Sequence, residues 1–107
     1  MVEISKRPSS KYRNKGIAVS PAVPAKGETA KVVYNGLLVK NGADKMYVHV
    51  GFGCDWQKAM EYKMVKTSAG FETGIPVTIA DNMNMCFKDS AGNWDNNSGK
   101  NYTIDTI

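Results

Sequence analysis

The chain is poor in the residues that build catalytic and metal centres. Of its 107 residues, one is histidine (His49) and two are cysteine (Cys54 and Cys86). Any His-based nucleophilic triad would have to be built on His49. The two cysteines lie 32 positions apart, and neither C-x-x-C nor H-x-x-x-H spacing occurs, which removes the usual zinc patterns. Two cysteines make no disulfide framework in a domain of this size, so both are read as free thiols. The ten acidic residues are scattered rather than paired as a hydrolytic centre. No catalytic residue is assigned.

Long apolar runs are also missing. None approaches the ~20 residues of a membrane-spanning helix, so no membrane partner is expected. The first 15 positions lack the apolar stretch of a signal peptide. A secreted protein would carry its signal outside this chain, which reads as a piece of something longer. Basic excess is missing from most of the sequence too. Lys6, Arg7, Lys11, Arg13 and Lys15 stand against Glu3 alone, so the whole net charge of +4 sits in the first 15 residues. The other 92 residues carry nine basic and nine acidic groups. Without a basic patch on the domain, no nucleic-acid partner is expected.

What remains is 42% hydrophobic and 22% charged, enough for one core in a chain of single-domain length. Residues 1–15 read as a flexible basic leader and residues 16–107 as one domain. Short β-type runs occur at 17–19, 29–34, 37–39, 45–52, 59–66, 70–79, 83–88 and 100–107. Turn residues separate them, including Asn35-Gly36 and Asn41-Gly42, which are hairpin signals. No segment keeps a helical period. The pattern predicts an all-β fold: an immunoglobulin-like antiparallel β-sandwich of about seven to eight strands. Alternation sends Met46, Val48, Val50 and Phe52 to the core and Tyr47, His49 and Gly51 outward. Met83, Met85 and Phe87 point inward, while Asn84, Cys86 and Lys88 point outward.

The informative residues are the two tryptophans. Trp56 follows Gly51-Phe52-Gly53-Cys54-Asp55, and Trp94 sits within Gly92-Asn93-Trp94-Asp95-Asn96-Asn97. Both lie in polar, glycine-rich stretches. An indole there suits a pyranose, whose C–H face packs on the ring while its hydroxyls meet planar polar groups. The rival reading has each Trp capping the end of the sandwich core. Asp89, Asn93 and Asp95 form an oxygen-rich stretch that offers calcium as an alternative. It lacks EF-hand spacing, and turn formation is the plainer reading. No other cofactor is expected.

At these residues the sequence resembles a known family. It carries Val48-His49-Val50-Gly51-Phe52 and Trp56, then Met64, Gly70-Phe71-Glu72 and Ile75-Pro76-Val77. It continues with Met85-Cys86-Phe87-Lys88-Asp89, Asn93-Trp94-Asp95-Asn96-Asn97 and Gly99-Lys100-Asn101-Tyr102. In this order the segments are similar to starch-binding carbohydrate-binding modules of the family 25 type and the closely similar family 53, over residues 16–107. The resemblance implies a non-catalytic, extracellular β-sandwich appended to bacterial amylases or other α-glucan-active enzymes. It implies His49, Trp56 and Trp94 as the sugar platform, with Asp95, Asn96 and Asn97 at or near it. The implied partner is an α-1,4-linked glucan such as starch or glycogen, bound by a monomeric module of a larger chain. The rival is a structural or adhesion immunoglobulin-like module of a bacterial surface or secreted protein.

Overall fold

Alternating burial organises both layers of this protein. The computed structural model describes residues 16–107 and the backbone of residues 12–14. In chain order the elements are β1 (Tyr12–Asn14), β2 (Ile17–Ser20), β3 (Thr29–Tyr34), α1 (Leu37–Lys40), β4 (Met46–Phe52) and β5 (Gln57–Lys63). They continue with β6 (Val65–Thr67), β7 (Gly70–Pro76), β8 (Met83–Asp89), β9 (Trp94–Asp95) and β10 (Tyr102–Ile104). One sheet runs β1-β2-β3-β7-β6 and the other β10-β8-β4-β5, with β9 also paired to β8. Every pairing is antiparallel. This is the expected all-β sandwich. Of the leader expected over residues 1–15, only the backbone of β1 lies among the described residues, and it pairs with β2. Among the described residues no helix is long and apolar enough to cross a membrane.

The core lies between the sheets. Ile17, Val19, Ala30, Val32, Tyr34, Phe71 and Ile75 come from the first sheet. Met46, Val48, Val50, Met83, Met85, Phe87, Tyr102 and Ile104 come from the second. Tyr34 and Phe87 stack across the layers with centroids 4.3 Å apart, and Tyr102 meets Phe87 edge-on at 5.8 Å. Such aromatic pairs add about 0.5–1.5 kcal/mol beyond area burial.

Three elements differ from the sequence reading. The apolar run at 37–39 is a helical turn, not a strand. It carries the chain from β3 in one sheet to β4 in the other, so Asn35-Gly36 closes no hairpin. Leu38 is its buried residue, and the Leu38 N–H donates to Tyr34 Oη at 3.0 Å. The run at 59–66 divides at Met64. There the chain leaves the second sheet for the first, the Met64 side chain enters the core, and its N–H donates to Met46 O at 2.8 Å. Trp94 lies on a short strand beside β8 rather than in a loop.

Candidate functional site

The outer face of the second sheet gathers most of the candidate residues. Strand register brings them together. On β4, His49 pairs with Glu61 of β5 on one side and Cys86 of β8 on the other. Tyr47, two residues earlier, lies between Lys63 and Lys88. Lys88 in turn pairs with Trp94 of β9. These residues share one face because the side-chain period of a strand is two.

Their contacts form a connected cluster. The His49 and Trp94 rings have centroids 4.9 Å apart with planes inclined at 53°. His49 Nε2 lies 2.5 Å from Glu61 Oε1, and Lys88 Nζ lies 3.3 Å from the same oxygen. The Lys88 ammonium also stands 5.4 Å from the Trp94 ring and 5.8 Å from the Tyr47 ring. Exposed cation–π contacts and surface ion pairs are each worth only about 0.2–1 kcal/mol. Their joint effect is to restrict how His49 and Trp94 are turned. Trp94 is 49% exposed, which sets aside its reading as a core cap.

Trp56 reaches the same face by another route. The β4–β5 connection is pinned by Gly53, whose N–H donates to Asn82 O at 2.8 Å and whose carbonyl accepts from Asn84 Nδ2 at 2.9 Å. Trp56 follows with φ 52°, in the left-handed region that a bulky residue rarely adopts. The half-buried indole then lies against Gly51 of β4. A Cβ added there would stand 2.5 Å from Trp56 Cε3. Gly51 is two residues beyond His49 on the same face, about 7 Å along the strand. Trp94 is registered at the level of Tyr47, two residues the other way. The two indoles therefore flank His49.

The W-D-N-N loop divides its labour. Asp95, expected at or near the platform, is buried. Its Oδ2 accepts from Tyr34 Oη at 2.6 Å, and its Oδ1 accepts from Tyr102 Oη at 2.8 Å and the Asn97 N–H at 3.2 Å. It holds the loop to the core. Burial, then the Asp95 carboxylate, pushes the Tyr34 hydroxyl far above the usual tyrosine range, so it stays a donor. Asn96 Oδ1 accepts from the Gly99 N–H and Asn97 Nδ2 donates to Asn101 O, both at 3.0 Å. Asn96 is exposed at the loop surface and Asn97 half-buried.

Of the calcium alternative at Asp89, Asn93 and Asp95, both carboxylates accept hydrogen bonds from protein groups. Asp89 Oδ1 accepts from the Ala91 and Asn93 N–H groups, and its Oδ2 accepts from Asn93 Nδ2. These bonds, that of the Asn93 side chain first, hold the Asp89 carboxyl below the usual range. Among the described residues no three of His, Cys, Asp and Glu gather as a metal cage. Cys54 and Cys86 are both free thiols. Burial, then the Asp95 charge, pushes the Cys86 thiol up.

Three members of the cluster carry no role in the sequence reading: Tyr47, Glu61 and Lys88. Alternation puts Tyr47 and Lys88 on the outer face. Nothing local in the sequence joins Glu61 to His49.

Comparison with known proteins adds the family. The chain matches the starch/carbohydrate-binding module (family 53) over residues 30–85. It is 32% identical over 92 residues to an α-amylase of Clostridium acetobutylicum, covering 82% of this chain and 11% of the amylase. The chain thus spans a small part of that relative's length. No solved structure matches it significantly.

Proposed function

Because the chain belongs to the starch/carbohydrate-binding modules of family 53, we propose that it binds an α-1,4-linked glucan such as starch or glycogen on the outer face of its second sheet. Trp56 and Trp94 stack on neighbouring glucose units, and His49 hydrogen-bonds between them. Asn96 and Asn97 meet hydroxyls at the rim. The reading rests chiefly on one observation: an exposed Trp94 ring 4.9 Å from His49, with the Trp56 indole laid on Gly51 beside it. Two rings at separate heights on a twisted sheet suit a curved α-glucan better than the flat ribbon of cellulose.

The module carries no chemistry of its own and needs no cofactor. It holds an attached enzyme on the polysaccharide. The amylase relative supports an α-glucan-active enzyme as that partner; we place it outside the cell, with the module acting as a monomer in the longer chain. Affinity for a short oligosaccharide lies at about 1 mM to 1 μM, because each hydroxyl must exchange water for protein.

The test is tryptophan fluorescence titrated with maltoheptaose, with cellohexaose as control. A saturable change with the α-glucan alone is the expected result. Trp56→Ala or Trp94→Ala should then weaken binding by about 2 kcal/mol or more, roughly 30-fold. Silence with both sugars, or a preference for the cellulose fragment, would overturn the reading.

A further inference from the structure

Beyond Trp94, on the side away from β4, the surface opens into a groove of about 620 Å³. That lies within the range of about 300–1,000 Å³ usual for small-ligand clefts. One wall is Asn35, Leu37 and Lys40, from α1 and the turn before it. The other is Trp94, Asn96 and Ser98, from β9 and the loop after it. We infer that this groove is a further α-glucan subsite, which takes the chain as it runs off Trp94. The inference rests on the platform reading above and extends it to residues which that reading does not use.

The groove is built rather than incidental. Tyr34 Oη accepts the Leu38 N–H at 3.0 Å and donates to Asp95 Oδ2 at 2.6 Å. One buried hydroxyl thus ties the α1 wall to the β9 wall. The floor is backbone laid on backbone. A Cβ on Gly16, whose φ is +89°, would stand 2.7 Å from both Asn35 O and Gly36 Cα. A Cβ on Gly36 would stand 2.8 Å from the Tyr34 ring. Neither wall needs to be ordered by the ligand, which lowers the cost of binding.

The lining chemistry suits a sugar. Leu37 is 56% exposed and offers an apolar surface opposite Trp94, where pyranose C–H groups can pack. Lys40 and Asn35, both exposed, offer donors to hydroxyls around it. Because Trp94 borders both the groove and His49, a glucan chain passes from one to the other without leaving the surface.

Length dependence of binding separates this subsite from the platform. The full chain and its Leu37→Ser/Lys40→Ala double variant are titrated calorimetrically with maltotriose and with maltoheptaose. Both residues are exposed, and matched melting curves check that the fold is kept. Wild type should bind maltoheptaose about tenfold tighter than maltotriose. The double variant should lose most of that margin while its maltotriose affinity stays within about twofold. Unaltered maltoheptaose binding by the double variant would overturn the subsite, and so would equal weakening towards both sugars. Wild type binding neither sugar would instead bring down the platform reading, and this inference with it.

Discussion

At Gly51 a single missing side chain makes room for a tryptophan. An added Cβ would meet Trp56 Cε3 at 2.5 Å, Trp56 Cβ at 2.8 Å and Trp56 Cα at 2.9 Å. The last two atoms belong to a loop held by Gly53, so the indole cannot simply swing aside. Gly51→Ala should therefore keep the sandwich, whose core lies on the other face, yet lift Trp56 off the sheet. The expected outcome is red-shifted tryptophan emission and a roughly tenfold loss of α-glucan affinity. Unchanged emission and binding would show that Trp56 does not depend on this contact. The outward set Tyr47, His49 and Gly51 was legible from alternation within one strand. The His49–Glu61 contact was not, because register between strands is written in neither strand alone. The burial of Asp95 was not legible for a related reason. Its polar neighbours suggest a surface loop, whereas Tyr34 and Tyr102, 61 and 7 positions away, draw its carboxylate inward.

Among the elements, the long strands were legible and the short ones were not. Burial alternates over all seven residues of β8 and over the first five of β4, and both strands appear where the period placed them. The run Leu37-Leu38-Val39 is too short for period to separate strand from helical turn. The crossing between sheets decides it, with Leu38 as the buried peg. The β8–β9 hairpin shows how local chemistry shapes an element. Asp89 ends β8 and accepts the Ala91 and Asn93 N–H groups, so the turn rests on an ionised carboxylate. Its folded pKa is depressed below the ordinary aspartate value, by the Asn93 side-chain bond first. Its stabilisation is therefore present above the unfolded pKa near 4 and lost as pH falls through the lower folded value. Melting temperatures at pH 7 and pH 3 check this. The wild type should lose more between them than Asp89→Asn, which has no proton to gain there. An equal loss in both would contradict the assignment. The same turn sets the start of β9, so it also fixes where Trp94 emerges.

On the scale of the molecule, the sandwich separates stability from binding. The apolar contacts lie between the sheets, and the proposed platform lies on an outer face that the core does not need. Both carboxylates that suggested calcium already accept hydrogen bonds from protein donors: Asp89 from the turn to Asn93, Asp95 from two tyrosine hydroxyls and the Asn97 N–H. A cation there would compete with these bonds, two of them from tyrosine hydroxyls. Two outcomes follow for sedimentation with granular starch. Excess chelator should leave the protein in the pellet, with melting temperature unchanged. A Trp56→Ala/Trp94→Ala double variant should melt close to wild type but stay in the supernatant, because neither indole belongs to the inter-sheet core. Release by chelator would restore a calcium-dependent site and make the 89–97 segment its cage. A double variant that unfolds would mean that the indoles support the fold, and that the outer face is structural rather than a surface for sugar.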